Sequence, residues 1–252
     1  RGASAARNAL LEQATTDWLV FLDADDVLLP RAVERALAIA ELGNADVICA
    51  DWRPLREIDG AWREGDRVSV PNPDGAGAAL AIFRGWWLPP GAVLLRRELA
   101  ERVGGFRVDL PVIQDARFLF DLARAGARFA TTGELGLLYR ERVGVSLSRR
   151  DSSAFWRDCL LNTELVEDGY ATSGELTPAV RRELLAGFEL AARELGPTDA
   201  VVARRALAGA RRQTATGLHA SRWLTLALTT HWLLGPRLAC RASSVFARRD
   251  AR

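Results

Sequence analysis

The chain has 252 residues, of which 49% are hydrophobic and 26% charged, with a net charge of +2. That is an ordinary globular composition, long enough for one large domain or for a core with an accessory domain. The near-neutral balance gives no field suited to nucleic acid, and with 34 basic residues that are all Arg, chemistry that needs a lysine is excluded.

Residues 3–14 read as a helix, alanine-rich, with Ser4 near the start and apolar positions at helical spacing. Trp18-Leu19-Val20-Phe21-Leu22 is short, aromatic and aliphatic, which predicts a strand buried on both faces. It runs into Asp23-Ala24-Asp25-Asp26, at the strand end where open α/β sheets present their ligands. Carboxylates this close repel each other, and solvation or a divalent cation relieves them. Pro30 predicts the opening of a helix over 31–42, ended by Gly43-Asn44. A strand follows at 45–50, then a loop-rich excursion over 53–77 and a short helix over 77–85. Trp86 to Gly91 is a rigid aromatic loop, and 92–95 a strand. Residues 97–103 form a helix stopped by Gly104-Gly105, and 114–125 another, ended by Gly126. Strands are predicted at 127–131 and 135–140.

From 151 onward strand signals vanish. Helices are predicted at about 152–168, 177–195, 198–213 and 217–234, with Pro178 and Gly196-Pro197 as punctuation. The chain therefore reads as an α/β catalytic-type domain, 1–150, and a helical accessory region, 151–252. Cys49, Cys159 and Cys240 are far apart, odd in number and form no CxxC, which predicts reduced thiols in a cytoplasmic protein. No apolar run reaches the roughly 18 residues of a membrane span. Met is absent and the chain begins inside helix-forming sequence, so a preceding N-terminal segment is expected.

Three chemistries use an Asp-x-Asp after a buried strand. A calcium loop starting at Asp23 fails, because Val27 and Leu28 occupy its ligand and turn positions. Asp23-Ala24-Asp25-Asp26-Val27 also resembles the first motif of haloacid dehalogenase-type phosphatases. That family places a lysine later, and here a helix precedes the motif. The third is carried by neighbours. Gly2-Ala3-Ser4-Ala5-Ala6-Arg7-Asn8, the strand ending in Asp23-Ala24-Asp25-Asp26, and Pro30 resemble in order and spacing the family 2 glycosyltransferases of the GT-A fold. Pro90-Gly91 to Arg96-Arg97, Val103-Gly104-Gly105-Phe106 and Gln114-Asp115 to Leu119 resemble that family's acceptor-side segment. Tyr139-Arg140-Glu141-Arg142 to Ser148 resembles its closing segment. The helical tail matches nothing named.

The resemblance implies an α/β GT-A mixed sheet, N-terminally incomplete, and transfer of a sugar from a nucleotide-diphosphate sugar to a glycan or lipid-linked acceptor, as in polysaccharide biosynthesis; the alternative is a non-catalytic fragment that binds glycan or membrane. It implies Mg²⁺ or Mn²⁺, held chiefly by Asp25, with Asp23 nearer the ribose and Asp26 supporting either or capping the next helix. Arg7 falls where the family binds the nucleotide, unless a salt bridge to the acids claims it. Asn8 is expected to fix local backbone. Asp115 falls at the general base of an inverting mechanism, with Gln114 replacing the family's usual Glu beside it. Arg140 and Arg142 face the diphosphate or are solvated strand residues. Trp86 and Trp87 stack on an acceptor sugar, or one of them packs the loop. His219 and His231 are far apart in the tail and are read as surface or packed side chains. The Arg-rich tail around Trp223-Leu224-Thr225-Leu226-Ala227-Leu228 is read as a helical bundle with a solvated Arg face. The alternative is an interfacial helix giving peripheral contact with the inner face of the plasma membrane.

Overall fold

The structure, a computed structural model, describes residues 2–42, 45–73, 77–141 and 151–249. The chain divides into two compact units, Arg1–Arg150 and Asp151–Arg252.

In the first unit the order is α1 (Ala3–Gln13), β1 (Trp18–Leu19), β2 (Val27–Leu28), α2 (Ala32–Glu41), β3 (Val47–Ile58) and β4 (Ala61–Glu64). Then come α3 (Ala78–Phe83), β5 (Val93–Arg96), α4 (Arg97–Arg102), α5 (Gln114–Arg124) and β6 (Phe129–Glu141). The strands form one mixed six-stranded sheet, ordered β1-β5-β3-β6-β2, with β4 paired to β3. Only β3 and β6 run parallel among these pairs.

The core follows from β3. Val47, Ile48 and Cys49 are almost fully buried, and burying each aliphatic side chain contributes about 1.5–3 kcal/mol. The alanine face of α2, Ala36 and Ala40, packs on Ile48 and Leu94, because small side chains let the helix lie close to the sheet. A trio of rings ties the motif-bearing segments together. Phe106 stacks on Phe118 of α5 with centroids 4.0 Å apart, and Phe21 meets Phe106 edge-on at 5.0 Å. Such pairs contribute about 0.5–1.5 kcal/mol beyond their burial. Here they fix the approach to Asp23 against the helix that carries Asp115.

Several expected elements change. The strand over 18–22 shrinks to Trp18–Leu19, half-buried at one end of the strand order. It pairs with β5 alone, so it is not buried on both faces; residues 20–22 continue without ladder partners. The excursion over 53–77 is partly strand, since β3 runs on through Pro54 to Ile58 and turns into β4. The strands expected at 127–131 and 135–140 are one, β6. Pro30 precedes the helix without entering it, and Arg31 takes the N-cap in the left-handed conformation, φ 63°.

The second unit is helical: α6 (Ser152–Thr172), α7 (Pro178–Glu194), α8 (Ala200–Thr214), α9 (Arg222–Leu234) and α10 (Pro236–Arg249). The last was not expected, although Gly235-Pro236 marks its start. Side chains cap the others: Asp151, Thr177, Asp199 and Ser221 each accept from backbone N–H groups of the following turn, each cap worth about 1 kcal/mol. The Arg pairs are shared between jobs. Arg205 binds Glu164, and Arg212 binds Glu167, which also accepts from Gln213. No helix among the described residues is long and apolar enough to cross a membrane.

Candidate functional site

The acids follow β1 in a tight turn closed by Asp26 N donating to the Asp23 carbonyl at 3.0 Å. Arg7 comes up from α1 beneath them, its side chain only 9% exposed. Its Nη2 donates to Asp23 Oδ1 at 2.5 Å and its Nη1 to Gln114 Oε1 at 2.8 Å. One guanidinium therefore joins the acidic turn to the first residue of α5, and its planar fork is what allows two acceptors in different directions. The salt-bridge reading of Arg7 is realised. A cleft of about 490 Å³ opens beside the pair, lined by Arg7, Leu10, Leu19, Phe21 and Asp23 among others.

Asn8 reaches a different partner. It donates to the Phe106 carbonyl and accepts from the Phe106 N–H, at 2.8 and 2.7 Å. It thus fixes backbone, but backbone 98 positions away in the Gly-Gly-Phe turn. Gly105 sits at φ 71°, and a Cβ there would lie 2.5 Å from Asn8 Oδ1, which is why the turn needs glycine. Ser4 does not cap α1; its hydroxyl donates to the Arg107 carbonyl.

Asp26 does not cap α2 either. Its Oδ1 accepts from Arg140 N on β6 at 2.9 Å, while Oδ2 is buried with no hydrogen-bond partner. Burial pushes its carboxyl up to about 6, against the lowering effect of the Arg140 N–H, and the neighbouring Asp23 and Asp25 charges raise it further. Asp25 is half-buried in the same turn.

Asp115 occupies the first turn of α5. Its Oδ2 accepts from Trp87 Nε1 at 2.9 Å and its Oδ1 from Ala116 N at 2.8 Å. Burial raises its pKa; the indole, the backbone N–H and the Arg7 charge oppose that rise. Trp87 in turn meets Trp52 and Tyr139 edge-on, at 6.0 and 5.8 Å, and those two rings meet each other at 5.6 Å. Burial, and then the charges of Asp26, Asp115, Asp23 and Glu141, push the Tyr139 hydroxyl up to about 12.

Trp86 goes elsewhere, donating to the Pro71 carbonyl and packing on Phe129, so of the adjacent tryptophans only Trp87 joins Asp115. Arg140 lays its guanidinium over Trp62, 4.6 Å from the ring centroid, and its Nε is buried without a partner. Arg142 lies outside the described residues. Asp26, Trp52 and Tyr139 carry more of the site's geometry than the sequence suggested. Tyr139 was signalled only as the first residue of the closing segment, and Trp52 lay just past the strand expected at 45–50, with no signal of its own. Asp51, by contrast, is a buried pin, accepting from Arg67 and from Val70 N.

No group of three or more His, Cys, Asp or Glu side chains among the described residues is arranged to hold a metal ion. The acidic turn nevertheless suits Mg²⁺ or Mn²⁺ completed by phosphate oxygens, which needs only one or two carboxylates. The orphaned Asp26 Oδ2 and the half-buried Asp25 are carboxylate groups of that kind.

The model of glycosyl transferase family 2 matches residues 1–104. An uncharacterized glycosyltransferase of Nostoc sp. strain PCC 7120 is 33% identical over 108 residues, which are 41% of this chain and 33% of that protein. The chain thus spans about a third of that relative's length. Among solved structures, S. aureus TarS 1–349 in complex with UDP-GlcNAc superposes with a TM-score of 0.69 at 15% identity, covering 99% of this chain and 72% of that one. A further crystal structure of S. aureus TarS gives 0.59 at 15% identity, over 97% of this chain and 41% of that one. The architecture is therefore the expected mixed α/β GT-A fold with helices at its C-terminal end. Residues 1–104 thus carry the glycosyl transferase family 2 match, and the fold is the one seen in TarS.

Proposed function

We propose that the protein transfers a sugar from a nucleotide-diphosphate sugar to a hydroxyl of a glycan or lipid-linked acceptor, with inversion and with Mg²⁺ or Mn²⁺. The observation that carries this reading is the Arg7 bridge, which ties the acidic turn to the residue beside Asp115. Donor-side acids and an acceptor-side carboxylate are thereby held in one unit of the fold.

In the reaction the acceptor oxygen forms a bond to the sugar C1 as the C1–O bond to the diphosphate breaks. The bonding pair leaves with the diphosphate, and the acceptor proton passes to the Asp115 carboxylate. The raised pKa of that buried carboxyl makes it a stronger base than a solvated aspartate. Asp25, with Asp23 and Asp26 beside it, would hold the cation, which stabilises charge developing on the leaving diphosphate. Arg140, whose charge acts on Asp26, would add a cation near the acidic turn. A phosphatase role for Asp23 is disfavoured, because the chain has no lysine to neutralise a phosphoaspartate.

The UDP-GlcNAc bound by TarS makes UDP-sugars the first donors to test. The test measures UDP release and sugar transfer to oligosaccharide and lipid-linked hydroxyls with Mg²⁺, Mn²⁺ or chelator. Transfer that needs the cation and is lost in Asp115→Asn and Asp25→Ala is expected. Transfer unaffected by Asp115→Asn would sink the assignment of the base. For a lipid-linked acceptor, the surface to meet the bilayer is the exposed Leu233, Leu234 and Leu238 at the α9–α10 corner. Co-sedimentation with anionic vesicles, weakened in Leu234→Glu, tests that part.

A further inference from the structure

We infer that Trp87 is the positioning residue of the base, its indole N–H fixing the rotamer of the Asp115 carboxyl. The inference rests on the proposed role of Asp115 and deepens it.

Three observations converge. The indole Nε1 donates to Asp115 Oδ2 at 2.9 Å, and this is a side chain from outside α5 on that carboxylate. The backbone donors, Ala116 N and the N–H of Asp115 itself, belong to the same turn of helix, so the indole is the donor that comes from another element. Trp87 is itself immobilised, because Trp52 from β3 and Tyr139 from β6 meet its ring edge-on. The loop that carries it lies close against the sheet, since a Cβ at Gly91 just beyond would fall 2.9 Å from Leu137 Cδ1 and 3.0 Å from Leu22 Cδ1. Two strands therefore clamp a ring that aims one N–H at one oxygen. The direction of the second lone pair on Oδ2 is set by the indole. Precise orientation of a base is worth large factors in rate, because misplacement by about 1 Å costs on the order of 100-fold.

The indole has a second effect. A charge-assisted bond stabilises the carboxylate over the carboxylic acid. The charged and titratable groups facing Asp115 from the packed elements are Arg7 of α1, which favours ionisation, and Tyr139 of β6, neutral in the working range. The neighbouring Gln114 is uncharged. Removing the N–H while keeping a ring, as in Trp87→Phe, therefore leaves Asp115 harder to ionise, with the other influences unchanged.

The experiment has two arms. In protein labelled with ¹⁵N-tryptophan, one of the eight indole resonances is expected to follow the titration of Asp115 and to lose that response in Asp115→Asn. In sugar transfer, Trp87→Phe is expected to move the acidic limb of the kcat/KM profile up by about one pH unit. It should also lower kcat by about tenfold or more on the plateau, with KM for the nucleotide sugar near the wild-type value. A residue that merely fills space would change thermal stability but leave the acidic limb in place. Wild-type transfer combined with an unshifted limb, or with no indole that responds to Asp115, overturns the inference alone. Absence of transfer by the wild type with every donor overturns the functional reading and the inference with it. Should Trp87→Phe fold poorly, the indole titration in the wild-type protein still decides between the outcomes.

Discussion

Arg7 and Gln114 stand 107 residues apart and share a buried hydrogen bond of 2.8 Å. The same guanidinium holds Asp23, so α1 acts as a spacer between the acidic turn and α5. It also lies over the Phe106 ring, 5.3 Å from the centroid.

Replacing Arg7 by Ala leaves Gln114 Oε1 without a donor and Asp23 without its cation. The expected loss is about 1–3 kcal/mol, the cost of stranding a buried polar group, with Asp23 contributing less because it is partly exposed. Arg7→Lys keeps the charge but not the fork, so it restores at most one of the two bonds. Urea unfolding is expected to rank wild type above Lys above Ala. Affinity for UDP should fall about tenfold in both variants, measured by calorimetry. If Arg7→Lys binds UDP as wild type does, the bridge has no part in holding the donor.

Asn8 and Gly105 make a coupled pair. Asn8→Ala leaves both backbone groups of Phe106 without their side-chain partner, for an expected loss of about 1–3 kcal/mol. Gly105→Ala forces a Cβ into the left-handed region and against Asn8 Oδ1. The two substitutions damage one contact, so the double variant should lose clearly less than the sum of the singles in a double-mutant cycle. Strict additivity would show that the Gly-Gly-Phe turn is held by something other than Asn8.

Asp26 supplies a pH test. Its folded-state value of about 6 lies above the ordinary 3.8, so the fold prefers the protonated carboxyl. That contribution is fully present below about pH 4 and is lost as pH rises through about 6. Asp26→Asn keeps an acceptor for Arg140 N and removes the titration. In chelator-treated protein, the Asn variant is expected to match wild type at pH 4 and to be the more stable at pH 7.5. Thermal unfolding across that window measures the gap, and a gap that narrows as pH rises reverses the assigned cause.

These contacts also show what the sequence reveals. Helices were legible because their signals are local: Pro178 after Thr177, and Gly126 after α5. The family likeness was legible because the order and spacing of its segments survive in sequence. Strands depend on partners. Pro54 argues against a strand, yet β3 passes through it, because its carbonyl still accepts from Gly65 N at 2.8 Å and only its missing N–H is unused. Residues 18–22 have the composition of a central strand, but whether neighbours flank them is a property of the sheet. The Asp26–Arg140 bond, 114 residues apart, and the Trp52–Trp87–Tyr139 cluster are juxtapositions that no local pattern carries. Trp86 and Trp87 are alike in sequence and differ only in which way the loop faces each of them.

The helical unit offers a test in which two familiar effects oppose each other. Gly209 lies inside α8, where glycine costs about 1 kcal/mol relative to alanine, so Gly209→Ala would ordinarily stabilise. But a Cβ at this position would stand 2.4–2.5 Å from three carbons of the Phe188 ring, and Phe188 is fully buried in α7. Overpacking of that kind costs about 1–3 kcal/mol, which exceeds the propensity gain at most of its range. Gly209→Ala is therefore expected to lower the unfolding temperature. Phe188→Leu, by shortening the ring, should reverse the sign, so that adding Gly209→Ala to it raises stability toward the propensity value. A stabilising Gly209→Ala in the wild-type background would show that the Phe188 ring has room to move. The close approach of α7 and α8 would then be a consequence of small side chains in general, without a specific requirement for glycine.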